Sequence, residues 1–307
     1  MDTVVQRTIT SARVRVVLGA HAAWLESRPG GIRANLAGLT LNEIRLPGVN
    51  LRQAILNSAA LIEAVLDGAD LSGTSLDGAD LRRASLIGTD LTGADLSDSL
   101  LGQCYLSEAT LCEAVIRGSS FRGAILREAR LMQSTVHRCD FTGAVLTGAN
   151  LNHSELSDCS FAESHLEEAS LLRARAQLCR FVAVTATGAR FEGARLRGCD
   201  FRSAHLMAAR FQQADLSQCC FAGAVLAGAD LRDTRLDAAE FCGAILTGAQ
   251  LAGAAMLAAD LRGANLRGVR GLNGLQLGQA RTDEQSIMPS GRRGPYVKGS
   301  GAERPAA

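Results

Sequence analysis

The sequence predicts an all-β solenoid, a four-sided parallel coil wound from five-residue repeats. Three observations predict it. From Leu36 to Leu266 every fifth residue is apolar, over 47 consecutive positions of which 42 are Leu or Phe, with no insertion or deletion. The residue two before each of these centres is nearly always small, as in Ala69-Asp70-Leu71 and Cys199-Asp200-Phe201. Phe121, Phe141, Phe161, Phe181, Phe201, Phe221 and Phe241 recur every 20 residues, as do Cys139, Cys159, Cys179, Cys199 and Cys219. A period of five suits neither a helix nor a strand, and repeats this short must stack to bury one side of each. Twenty residues make four repeats, so four faces are expected, with like residues stacked along one face. The frame amounts to about twelve coils, roughly 55 Å at the usual strand spacing.

The elements follow in order. Residues 1–33 are expected to cap the coil. Val14, Val16, Val17, Leu18, Ala20, Trp24 and Leu25 read as an amphipathic helix, and Arg28-Pro29-Gly30-Gly31 ends it. A bare solenoid end exposes apolar surface and unpaired strand edges, so Trp24 is expected to pack over the first turn. The coil itself is expected over residues 34–270. Its weak point is the pair Ala176 and Ala186, small residues at centre positions beside Phe181 and Phe191, which can refill the space. Residues 271–289 read as the C-terminal cap, with Leu272, Leu275 and Leu277 over the last turn. Residues 290–307 hold Gly, Pro, Ser and charge, with little to bury, and are expected to be disordered.

Stretches such as Ala69-Asp70-Leu71-Ser72-Gly73, Ala79-Asp80-Leu81, Ala149-Asn150-Leu151 and Ala229-Asp230-Leu231-Arg232 read A-(D/N)-L-x-x. Through them the chain resembles the pentapeptide-repeat family over residues 34–270. The resemblance implies a right-handed quadrilateral parallel β-helix. The flanks are similar too. His21-Ala22-Ala23-Trp24-Leu25, followed by Gly31-Ile32-Arg33-Ala34-Asn35-Leu36, resembles the lead-in of many members, and Gly271-Leu272 through Asp283 and Pro289 resembles a common exit segment.

Composition bounds the function. The 307 residues carry a formal net charge of +1, and no apolar run approaches the ~18 residues of a membrane span. Arg7, Arg13 and Arg15 are scattered where a signal peptide would be apolar, so the cytoplasm is the expected location. Lys298 is the only lysine, which with abundant Ala and Gly points to a GC-rich genome. Of nine cysteines, Cys104 and the column Cys139 to Cys219 occupy the small inward position and read as structural filler. A single file of parallel thiols lacks the paired spacing of a zinc site, and reduced thiols agree with a cytosolic protein. The five histidines are dispersed, and no phosphate-binding or dinucleotide glycine pattern occurs. A coil filled by Leu and Phe leaves no room for a substrate pocket. No metal, no cofactor and no enzymatic activity are therefore expected.

Function is sought on the outer walls. Residues 61–100 hold eight carboxylates against two arginines, whereas residues 171–210 hold eight arginines against two carboxylates. Arg190 is expected to stack over Arg210, and Arg175 over Arg195. With Arg173 and the nearby Leu172, Leu178 and Val182 they read as a docking site for an acidic protein partner. The plainer alternative is a solvated surface whose outward charges drifted. One column, Val65, Ser85, Tyr105, Ile125, Val145, His165, Thr185, His205, Val225 and Ile245, is unusually apolar. Tyr105, Ile125 and Val145 make it a candidate contact for a second copy in a homodimer, a client protein or a terminal segment; equally, β-branched residues suit extended backbone. The basic tail (Arg292, Arg293, Lys298, Arg304) has no aromatic stacking platform beside it, so nucleic acid is not an expected partner.

These readings favour a non-catalytic interaction or scaffold protein. The family resemblance supplies an alternative. Some pentapeptide-repeat proteins, the quinolone-resistance type among them, act on DNA gyrase by imitating duplex DNA. Their coils are strongly acidic and some carry projecting loops, whereas this chain is near neutral, studded with Arg, and uninterrupted from 36 to 266.

Overall fold

A computed structural model of the chain describes residues 7–8 and 11–305, in two compact units, 1–150 and 151–307. The same five-residue rule builds both. From Leu51 onward the centre and the residue two before it are buried in each repeat, whereas Leu39, Ile44, Leu46 and Val49 of the first coil are half-buried; the other positions mostly face outward. After most centres the chain turns. The N–H three residues on donates to the centre's carbonyl, as from Ala54 to Leu51 at 2.9 Å and from Ala224 to Phe221 at 2.9 Å. The second residue after the centre lies in the left-handed region, for example Gly143 at φ +66° and Gln213 at φ +61°. A turn of this kind needs positive φ at its third position, which explains why glycine recurs there.

The residue just before each centre pairs in parallel with the residue 20 positions on. Asn50, Asp70 and Asp90 form one such ladder in the first unit, and Ser170, Arg190, Arg210 and Asp230 one in the second. Four repeats therefore complete each coil, and the chain climbs one strand spacing per coil. Both units are parallel β-helical.

In the first unit, β1 (Arg7–Thr8) pairs in parallel with β2 (Leu39–Thr40), Arg7 opposite Leu39. A strand edge of the first coil is thereby covered. Helix α1 (Ser11–Leu25) follows. Its inward residues are Val14 and His21, whereas Trp24 is only partly buried and Val16 is 71% exposed. The expected Trp24 plug is replaced by His21, with Trp24 stacked against it at 5.5 Å. The reason is a backbone donor: His21 Nδ1 accepts the Ala34 N–H at 3.1 Å, which an indole ring cannot do.

Farther along this unit the corner after Ile116 opens and backbone stays extended. Strand β3 (Val115–Arg117) pairs in parallel with β4 (Thr135–His137). At the inward position of that corner, Ser119 Oγ donates to Leu96 O at 2.6 Å. Where the turn closes, the hydroxyl bonds either its own corner, as from Thr74 to Leu71 O at 2.7 Å, or the preceding coil, as from Thr89 to Leu66 O at 2.9 Å.

In the second unit, β5 (Glu155–Ser157) pairs in parallel with β6 (Arg175–Gln177). Phe161, Phe181, Phe201, Phe221 and Phe241 stack face to face, with centroids 4.8–5.0 Å apart. Phe191 and Phe211 form a second stack that meets the first edge-on, at 6.1–6.4 Å. Ala176 and Ala186 are fully buried within this packing.

At the C-terminal end, Leu272 and Leu277 are buried but Leu275 is 72% exposed, so only two of the three expected leucines cover the coil. The difference comes from α2 (Gly274–Gln279), capped by Asn273, which turns Gln276 inward. The Gln276 amide donates to Leu251 O and Ala254 O, each at 3.0 Å. Polar capping of end carbonyls thus takes the place assigned to Leu275. Arg281 and Ile287 then extend two ladders by pairing with Asp260 and Asn265. Residues 290–304, expected to be disordered, fold back through backbone bonds: Gly294 N to Ser286 O at 2.9 Å and Ser290 N to Ala302 O at 3.2 Å. Tyr296 N also donates to Thr282 Oγ1 at 2.9 Å. Order here comes from hydrogen bonding, a term that apolar content does not report.

Candidate functional site

The buried positions of both units are filled by Leu, Phe and small residues, so the groups able to meet another molecule are on the walls. In the second unit the residue before each centre points outward, and the 20-residue ladder aligns Arg175 with Arg195 and Arg190 with Arg210. The expected stacking is therefore present. The structure divides these arginines by what faces them. Arg175 Nη1 lies 3.4 Å from Glu155 Oε1, and Arg190 Nε lies 3.3 Å from Glu192 Oε1. Both pairs are long; Arg175–Glu155 is open to water on both sides, where such contacts add little, whereas the Glu192 side chain is largely covered. Among the described residues, no carboxylate lies within ion-pair distance of Arg173, Arg195 or Arg210.

Arg173, Arg175 and Arg195 line a shallow depression of about 470 Å³ with His153, Glu155 and Gly193. His153, Arg173 and Gly193 are corner residues 20 apart, so this column is legible in the sequence, although formal charge alone does not single out His153. The apolar neighbours are fewer than expected. Leu172 and Val182 are half-buried, and the Leu172 N–H donates to Asn152 Oδ1 at 2.8 Å. Leu178 alone stands open, 68% exposed, at a corner with φ +55°.

Other arginines of this unit are neutralised locally. Arg232 and Arg262 each grip the aspartate two residues before, with Nη2 2.6 Å from Asp230 Oδ2 and from Asp260 Oδ2. Each aspartate also accepts the arginine's backbone N–H, which fixes its side chain. The arginine hydrogen bond holds both carboxyls below the usual aspartate value. Sequence spacing marks these pairs: each neutralised arginine follows its aspartate across one centre residue, Leu231, Leu261 or, for Arg202 and Asp200, Phe201.

In the first unit the apolar column forms the expected ladder from Val65 through Ser85, Tyr105 and Ile125 to Val145. Tyr105 is 46% exposed, but Ile125 and Val145 are half-buried, so the stripe offers less apolar surface than its composition suggests. The carboxylates of residues 61–100 also divide. Asp80 is held by Arg82 at 2.6 Å and Glu63 by Arg83 at 3.1 Å. Asp70, Asp90 and Asp95 accept the N–H two residues on, at 2.9–3.0 Å, and face no cation.

The column thiols Cys159, Cys179, Cys199 and Cys219 are buried. Neighbouring thiols and burial push Cys179 far up, and burial does the same to Cys219, so both stay protonated. Among the described residues no cluster of His, Cys, Asp or Glu could hold a metal ion, and no helix is long and apolar enough to cross a membrane.

The family model for pentapeptide repeats matches eight copies over residues 32–143 and 219–268, and a model for a pentapeptide repeat region matches residues 134–211. No curated protein matches the sequence. Among solved structures, HetL is a pentapeptide repeat protein involved in heterocyst differentiation regulation, from the cyanobacterium Nostoc sp. strain PCC 7120. It is 28% identical over 93% of this chain and 99% of its own, with a TM-score of 0.30. The pentapeptide repeat protein alr5209 of Nostoc PCC 7120 is 28% identical over 36% of this chain and 82% of its own, with a TM-score of 0.31. A trypsin-treated QnrB1, a plasmid-mediated fluoroquinolone resistance protein, is 21% identical over 58% of this chain and 82% of its own, with a TM-score of 0.29. With superposition this weak, the assignment rests on the repeat matches and on the coil geometry they accompany. On both counts the chain belongs to the pentapeptide-repeat family.

Proposed function

We propose that this chain is a non-catalytic protein-interaction or scaffold protein of the cytoplasm. In this reading it is a right-handed quadrilateral β-helix of about twelve coils, capped by α1, and the Arg face of the second unit docks an acidic protein partner. One observation carries the proposal: Arg195 and Arg210 project from a fixed ladder, and Arg173 from the corner beside it, with no carboxylate among the described residues within ion-pair distance. The planar guanidinium fork loses less freedom per hydrogen bond formed with a carboxylate than an ammonium does, and the field of these groups speeds encounter with an acidic surface. The family's general character, a repeat protein without enzymatic chemistry, is consistent with this.

The test is affinity capture with the native chain and with Arg195→Glu/Arg210→Glu. Partners retained by the first and lost by the second support the docking site; an identical partner set with equal yield overturns it. The topoisomerase alternative requires an acidic, DNA-like wall where this unit presents arginine. A supercoiling assay separates the two, because a DNA mimic inhibits gyrase or blocks quinolone action at micromolar concentration and a scaffold of this kind does neither.

A further inference from the structure

We propose that the partner of the Arg face is a second copy of this chain, docked through the acidic wall that residues 61–100 present in its first unit. The inference rests on the interaction reading above and names its partner. Residues 61–100 of the first unit and 171–210 of the second leave fixed charge of opposite sign uncompensated. Among the described residues, Asp67, Asp70, Asp77, Asp90, Asp95 and Asp98 have no cation within ion-pair distance, and Arg173, Arg195 and Arg210 have no carboxylate. The stretches are of equal length and opposite charge, eight carboxylates against two arginines in one and the reverse in the other.

The charges also match in spacing. Asp70 bridges directly to Asp90, Arg190 to Arg210 and Arg175 to Arg195. Each pair is thus one parallel-strand step apart, about 4.8 Å, and each places like charges side by side. Asp70 and Asp90 occupy the same position in the 20-residue period as Arg190 and Arg210, and Asp95 the same as Arg175 and Arg195. A wall of one copy laid on a wall of the other can therefore place carboxylate against guanidinium coil for coil, relieving the like-charge repulsion within each ladder. Every copy carries both walls, so one encounter leaves a further acidic and a further basic wall free to close a dimer or extend it.

Sedimentation velocity of the full chain, followed over concentration at 20 and 500 mM NaCl, tests this. Association at low salt that weakens by about tenfold or more at high salt is expected, since charge contacts at this distance are screened. Two variants remove one wall each. Arg195→Glu/Arg210→Glu inverts exposed basic positions. Asp70→Asn/Asp90→Asn removes the acid but keeps the Oδ1 acceptor that binds the Ser72 and Thr92 N–H groups. Each variant alone should sediment as a monomer. Mixing Arg195→Glu/Arg210→Glu with Asp70→Arg/Asp90→Arg should restore the larger species. A native chain that stays monomeric at low salt overturns the proposal, as does association indifferent to salt and to both variants. If the native chain is monomeric yet the Arg variant still loses captured partners, self-docking falls while the interaction reading stands.

Discussion

Replacing Phe201 by alanine removes the middle ring of the stack in the second unit. Phe201 is fully buried, lies parallel to Phe181 at 4.8 Å and Phe221 at 5.0 Å, and meets Phe191 and Phe211 edge-on at 6.1 and 6.3 Å. The backbone cannot move in to fill the gap, because the Phe201 N–H is bonded to Cys220 O at 2.7 Å and Phe181 N to Asp200 O at 2.7 Å. The loss should thus lie at the upper end for such truncations, about 4–5 kcal/mol, of which the ring–ring geometry supplies about 1 kcal/mol or more. Phe201→Leu, which restores the commonest centre residue, should cost only about 1–1.5 kcal/mol. Guanidinium unfolding gives the total. Amide exchange gives its location: coupling between repeats is to nearest neighbours, so protection should fall mainly around residues 181–221 and hardly at residues 41–81. A loss under about 1 kcal/mol for the alanine variant, well below the usual truncation range, would refute the reasoning. So would a loss of protection spread evenly along the chain.

Three further outcomes follow from the same geometry. Gly143 sits at φ +66° with nothing within 4 Å of an added Cβ, so Gly143→Val should cost about 1–2 kcal/mol through backbone strain alone; thermal unfolding measures it, and no change would mean the corner is not left-handed. Burial, with a smaller contribution from Arg33 and against the pull of the Arg52 backbone, holds His21 below its ordinary value of 6.5. The neutral ring is therefore the folded form. Its contribution should be complete above pH 6.5, lost as pH falls through that value toward the lower folded pKa, and absent from a His21→Gln control in melting curves between pH 5 and 8. Native protein treated with a thiol reagent should react at no more than the half-buried Cys112, Cys220 and Cys242, the six buried thiols reacting only at the rate of unfolding; rapid modification of a fourth thiol in the native state would contradict the closed interior.

The sequence by itself determined the coil, its four faces, and which residues lie inside. Each of those follows from a period that repeats locally: once Leu or Phe recurs every five residues beside a small partner, every neighbouring repeat imposes the same inward direction, and the columns of Phe and Cys align without further information. Only the tertiary structure decided what happens where that rule stops. At the ends, unpaired backbone groups set the outcome, so His21 displaces Trp24 and Gln276 takes the place expected of Leu275. Residues 290–304 are ordered by backbone bonds that composition does not reveal. On the walls, composition reports how many arginines there are but not which of them meet a carboxylate. Arg232 closes on Asp230 two residues back in its own repeat, whereas Arg210, although Asp230 is its neighbour on the ladder, and Arg195, although Asp215 is, have no carboxylate within ion-pair distance among the described residues.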